Sequence, residues 1–226
     1  QDAMAIVSKF GKPDLFITMT FNPRWREIEE NLLPGQQASD ICARFNIKKD
    51  YLIDLIVKQK FFCEVAAFVY VIKFQKRGLP HVHMLITLKY NYKITTSQIV
   101  YKLYDKYISA EISDSCDNRI LHDIVMKHMI HIHGPCSDWC LVDGRCSKHY
   151  LKPFLEEIKM DEDVYPYYRR RNNGTNFEHP GGYVVDNRYV VPYCSTLSII
   201  FNSHVNVEVV SSIKSVKYLY KYIYKG

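Results

Sequence analysis

The sequence predicts an α+β fold, a central, mostly antiparallel sheet with helices packed against it, and three observations carry that prediction. Short runs rich in β-branched and aromatic residues, at 15–21, 65–74, 81–88 and 205–210, have the length and composition of strands. The second and third are separated by little more than Lys76-Arg77-Gly78-Leu79-Pro80, a turn, so they pair as an antiparallel hairpin. Segments of helical periodicity lie between and after the strands, without the regular βαβ alternation of a parallel sheet.

Taken in order, Ala3 to Phe10 is a short helix ended by Gly11-Lys12-Pro13-Asp14. The first strand follows from Leu15. Asn22-Pro23 then supplies a cap residue and a proline suited to the first helical position, which predicts a helix over Arg24–Leu32. A second helical pattern runs from about Asp40 to Lys60, with Phe45, Ile47, Leu52, Ile53, Leu55 and Ile56 on one broad face. Val65–Phe74 is apolar enough to predict a central strand. Helices are expected over Thr96–Ile108 and Asn118–Ile130. Residues 131–150 lose periodicity and gain Cys, His and Gly, and Tyr183–Val191 reads as a hairpin turning at Asp186-Asn187. A strand over Val205–Val210 leads into a last helix over Ile213–Lys225, capped by Ser211 or Ser212.

At 226 residues the chain is long enough for one sizeable core, and the expectation is a single domain over 1–226 with a Cys/His-rich insert at 131–150. No apolar run reaches membrane-spanning length, so no membrane association is expected. The opening Gln1-Asp2-Ala3-Met4 does not resemble a signal peptide, and the chain reads as a segment of a longer protein. The seven cysteines, odd in number, point to thiols that are free or on metal in a reducing compartment. A net charge of +6 makes an acidic partner plausible, and 18 tyrosines among basic residues suit single-stranded nucleic acid, whose bases stack on rings while its phosphates need cations. A tyrosine-rich core explains the same composition.

His81-Val82-His83 lies on a strand, where alternation sends both imidazoles to one face. Two such rings can grip a divalent cation. Across the turn, Gln75 either offers an oxygen to the same ion or is a plain turn residue; mixed nitrogen and oxygen donors suit Mg²⁺ or Mn²⁺. In the last helix Tyr218 and Tyr222 are four apart and share a face, flanked by Lys217, Lys221 and Lys225. A phenol with pKa about 10 is a poor nucleophile. Neighbouring ammonium groups favour its anion, and a cation polarises the phosphate it attacks. A core-facing tyrosine stripe is the competing explanation and accounts well for Tyr220 and Tyr224.

Three stretches together resemble the Rep domain of Helitron transposases, the two-tyrosine branch of the HUH endonucleases. They are Phe16-Ile17-Thr18-Met19-Thr20-Phe21-Asn22-Pro23, Phe74-Gln75-Lys76-Arg77-Gly78-Leu79-Pro80-His81-Val82-His83, and Val216-Lys217-Tyr218-Leu219-Tyr220-Lys221-Tyr222-Ile223-Tyr224-Lys225-Gly226. They occur in the family's order. The resemblance implies an HUH-endonuclease-like sheet and a catalytic Mg²⁺ or Mn²⁺ held by His81 and His83, with Gln75 and, as a backup ligand, Glu208. It implies Tyr218 or Tyr222 as the nucleophile that nicks single-stranded DNA through a 5′-phosphotyrosine and passes the strand on. Lys76, Arg77, Lys217, Lys221 and Lys225 would hold DNA phosphates. Single-stranded transposon ends and target are the implied partners, a helicase domain in the same polypeptide is implied downstream, and a nuclear location follows from the family. No Gly-x-x-x-x-Gly-Lys-Ser/Thr occurs in these residues.

Two departures stand out: Lys73 where relatives usually carry glutamate, and Phe21 where cysteine is common. Lys73 motivates the alternative of a catalytically inactive single-stranded DNA-binding module. His133, Cys136, Cys140 and Cys146 form a separate expectation, a structural Zn²⁺ site in the insert, against which stand unligated loop thiols. His204, Asn206 and Glu208 share a strand face and are expected to support the site or DNA, or simply to be hydrogen-bonded there, while Thr20 and Asn22 are expected near the same cleft.

Overall fold

The computed structural model describes residues 3–36, 44–74, 78–93, 106–132, 141–142, 145–146, 149–159 and 166–210. Helix α1 (Ala3–Phe10) ends at Gly11, whose N–H bonds Val7 O at φ 80°, a left-handed stop that a side chain would strain. β1 (Leu15–Thr20) leads through a turn to the one-turn helix α2 (Arg26–Glu29). α3 (Arg44–Ile53) continues into a π-helical turn, Asp54–Lys58. β2 (Val65–Phe74) and β3 (Pro80–Leu88) form the expected hairpin, entered through Gly78 at φ 76°. Then come α4 (Arg119–His128), capped by Asn118, and the two-residue strands β4 (Leu141–Val142) and β5 (Arg145–Cys146). β6 (Phe177–His179), β7 (Tyr183–Val185), α5 (Ser195–Phe201) and β8 (Val205–Val209) complete the described chain.

The main sheet has the order β2-β3-β1-β8, and all its pairings are antiparallel. Alternation splits its residues cleanly. Leu15, Ile17 and Met19, Val82, Met84 and Ile86, and Val205, Val207 and Val209 turn into one core. Against them pack Phe45 and Leu52 of α3, Leu55 and Ile56 of the π-turn, and Leu197 and Phe201 of α5. Each fully buried aliphatic side chain of this layer contributes roughly 1.5–3 kcal/mol. A second cluster joins Leu121, Val125 and Met126 of α4 to Val185, Val190 and Tyr193. Tyr193 bridges Asn206 on one side and Ser109 on the other, so single bridges extend the sheet beyond β8. On the opposite face, Val7 of α1 and Val69 of β2 pack against the cluster of Phe16, Leu85 and Val210.

Four expectations are corrected. β2 is an edge strand, half-buried, with Phe74 63% exposed; its apolar composition serves one face and the hairpin rather than a central position. α2 begins at Arg26, because Asn22 spends its side chain on Arg24 N–H and on Asn202 O, making a turn in place of a helix start. Trp25, at the end of that turn, is fixed by its indole N–H on Phe201 O at 2.6 Å. Ile47 is 68% exposed and outside the core face of α3. The hairpin near residue 180 is Phe177–His179 against Tyr183–Val185, turning at Pro180-Gly181-Gly182; Asp186 instead accepts from Arg188 N–H and opens the 3₁₀ turn Asn187–Tyr189. α5 has no counterpart in the predicted elements. The helices expected over 96–108 and 213–225 lie wholly or mostly outside the described residues.

Candidate active site

The face of the sheet away from the core carries the polar residues that alternation leaves over. β3 supplies His81 and His83. In register beside them on β1 stand Thr20 opposite His81 and Thr18 opposite His83. On the other side β2 places Lys73 opposite His81 and Val71 opposite His83. β8 places Asn206 opposite Thr18 and Glu208 opposite Phe16. Thr20 N–H bonds His204 O, which carries the same row one residue beyond β8. The two imidazoles therefore sit side by side, as the sequence predicted, with ring centroids 4.6 Å apart and planes at 79°.

Each ring is held differently. His83 stacks on Phe16, centroids 5.5 Å apart, and its Nδ1 is 2.9 Å from Thr18 Oγ1. In the tautomer in which Nδ1–H donates to the hydroxyl, the lone pair of the ring is on Nε2. His81 Nδ1 is buried and has no hydrogen-bond partner among the described residues. Burial, reinforced by the Lys73 ammonium, lowers the His81 pKa below its ordinary value, so the ring is neutral at pH 7 and keeps its lone pair. A buried ring nitrogen of this kind is the sort of atom a cation satisfies. Lys73 opposes that same cation electrostatically.

Asn206 donates Nδ2–H to Glu208 Oε1 at 3.0 Å, while its buried Oδ1 has no partner among the described residues. Glu208 is thus a row removed from His83 and engaged with Asn206. Among the described residues no three His, Cys, Asp or Glu side chains are grouped to hold a metal. Gln75, Lys76, Arg77, Lys217, Tyr218, Lys221, Tyr222 and Lys225 lie outside the described residues, as do His133, Cys136 and Cys140. Asn22, expected near the cleft, is a turn residue at 3% exposure. Thr18 was not singled out by the sequence reading, although its alternation with Phe16 and Thr20 on β1 signals its face. Asn206 was singled out, and its open acceptor is now visible.

The described residues form an antiparallel α+β sheet whose β3 carries His81 and His83 on one face, beside Thr18, Thr20 and Asn206. Residues 1–86, from α1 through most of β3 and including His81 and His83, match the family described as Helitron helicase-like domain at N-terminus. The match associates this part of the chain with Helitron-type proteins. No curated protein matches the chain. Among the described residues no helix is long and apolar enough to cross a membrane.

Proposed function

We propose that the chain nicks and rejoins single-stranded DNA with a tyrosine nucleophile, in rolling-circle-type transposition in the nucleus. The observation that carries this reading is the His81–His83 pair, set on one face with ring centroids 4.6 Å apart. The match of residues 1–86 to a Helitron-associated family supports it.

His81, His83 and Gln75 would hold Mg²⁺ or Mn²⁺, which when bound polarises the scissile phosphate. Thr18 holds the His83 ring through its hydroxyl. Tyr218 or Tyr222 attacks phosphorus: a Tyr Oη–P bond forms, the P–O3′ bond breaks, and the 3′-oxygen leaves with a proton as a hydroxyl. The phosphoester energy is kept in the 5′-phosphotyrosine for rejoining, and the other tyrosine serves a second strand. Lys76, Arg77, Lys217, Lys221 and Lys225 would hold phosphates, and a helicase domain in the same polypeptide would supply the strand.

The test is a labelled single-stranded oligonucleotide with Mn²⁺ or Mg²⁺, run on a denaturing protein gel. A metal-dependent covalent adduct is expected, reduced in Tyr218→Phe or Tyr222→Phe and absent in the double variant. An adduct persisting in the double variant overturns the tyrosine assignment. The second reading, an inactive single-stranded DNA-binding module, is favoured by Lys73 opposite His81 and predicts salt-sensitive binding without adduct.

A further inference from the structure

At the end of β3 farthest from His81 lies an open groove that the nicking chemistry does not use. Its volume is about 390 Å³, within the roughly 300–1,000 Å³ of small-ligand sites. Lys9 and Phe10 line it from the end of α1, and Leu88, Lys89, Tyr90 and Lys93 line it from the end of β3 and the turn that follows.

The Tyr90 ring is 91% exposed, so burial in the core does not account for its place. The turn that carries it is nonetheless fixed at both ends. Lys89 N–H bonds Glu64 O at 2.8 Å, and the 3₁₀ turn Tyr90–Tyr92 closes with Lys93 N–H on Tyr90 O. Lys93 Nζ then bonds Lys12 O at 2.8 Å and the buried Asp14 carboxylate at 2.9 Å, which ties the turn to the start of β1. Phe10, 36% exposed, offers a second ring in the same groove.

The charge around these rings is positive. Lys60 and Lys89 share one carboxylate, that of Glu64, each at 2.7 Å. Asp14 pairs with Lys93 and also attracts Lys12. Lys9 Nζ lies 5.3 Å from the centre of the Phe10 ring. The ammonium groups outnumber the carboxylates they pair with, so an anion is favoured here. Exposed rings among surplus ammonium groups match the chemistry of a single nucleic-acid strand, whose bases have free faces to stack and whose phosphates need cations. In a duplex those faces are already stacked on one another, and an acidic peptide has no use for the Tyr90 ring.

We propose that this groove holds a nucleotide of single-stranded DNA, with its base against Tyr90 and its phosphates on Lys9 and Lys89. The proposal rests on single-stranded DNA as the substrate in the reading above, and not on the tyrosine chemistry.

The test is fluorescence anisotropy of labelled single-stranded oligonucleotides with the 226-residue chain in EDTA, where nicking is not read. Tyr90→Ala removes an exposed ring and should weaken binding by about five- to a hundredfold, while Tyr90→Phe keeps the stacking face and the affinity. Lys9→Gln and Lys89→Gln should each lower the slope of log affinity against log salt by about 0.7. Duplex of the same sequence should not distinguish Tyr90→Ala from wild type. An oligonucleotide carrying 5-iodouracil should photocrosslink to Tyr90 or Phe10, mapped by mass spectrometry. Equal single-strand affinity of Tyr90→Ala and wild type, or crosslinks that fall outside the groove, overturns the proposal and leaves the nicking reading standing. Loss of binding in the lysine variants alone reduces the groove to a basic patch and overturns it as well. Absence of a covalent adduct in the metal-dependent assay, with the Tyr90 effect intact, fails the nicking reading and leaves the groove assigned.

Discussion

Thr18 and His83 face each other across β1 and β3 with Thr18 Oγ1 2.9 Å from His83 Nδ1. A hydrogen bond in this position holds the ring in its orientation. Thr18→Val keeps the shape and the β-branched strand preference but removes the partner. We expect roughly 10–100-fold weaker divalent-metal affinity with little change in folding, since loss of such an outer partner has that effect at other metal sites. Mn²⁺ titration of the variant against wild type measures it, and equal affinities would mean that Thr18 does not position His83.

Lys73 faces His81 from the other side and lowers its pKa along with burial. Lys73→Glu exchanges a repelling cation for an attracting, oxygen-donating carboxylate. The His81 pKa should rise, measured by NMR titration of the ring, and metal affinity should tighten by about tenfold or more. If the chain nicks DNA, the variant should reach half-maximal rate at lower Mn²⁺. An unchanged titration curve would show that the side chain at 73 does not sense the histidine.

Asp14 is wholly buried, accepts from Leu88 N–H at 2.8 Å and pairs with Lys93 Nζ at 2.9 Å. It ties the start of β1 to the end of β3. Asp14→Ala leaves the Leu88 amide without its acceptor and Lys93 without its carboxylate, the Lys12 carbonyl remaining to it, and about 3–5 kcal/mol of stability should be lost by urea unfolding. Asp14→Asn retains an acceptor for Leu88 and should lose less. Equal losses in the two variants would argue against this division of roles.

The sheet face of the site was legible because strand alternation is local: His81 and His83 share a face whatever else surrounds them, and Asn206 and Glu208 do likewise. What decides partnership was not local. Thr18 meets His83 across 65 residues of chain, and Lys73 faces His81 only through the hairpin register. Asn22 and Asp186 both have the composition of local signals, a cap and a hairpin turn. Asn22 uses its side chain to reach Asn202, and Asp186 holds Arg188, so the elements fall a few residues from where propensity puts them. α5 spans seven residues, too few for periodicity to register. His131 meets Cys146 where its bond to Tyr189 O and the Val191–Met129 bond anchor the backbone, a tertiary fact.

His128 ends α4 with its Nε2 buried and without a partner among the described residues. A helix C-terminus ordinarily favours the charged ring. Here burial dominates, aided by Lys127, and brings the pKa down to about 4. The unfolded chain takes up this proton near pH 6.5, the folded chain only near 4. Between those values the unfolded state binds more protons, so stability is full above about pH 6.5 and falls as pH drops toward 4. His81, also lowered, acts in the same direction, so the informative quantity is a difference between variants. His128→Leu should flatten the decline in melting temperature from pH 7 to pH 4.5 relative to wild type, with the His81 contribution left in place. Parallel declines in the two proteins would show that His128 takes up its proton equally in both states.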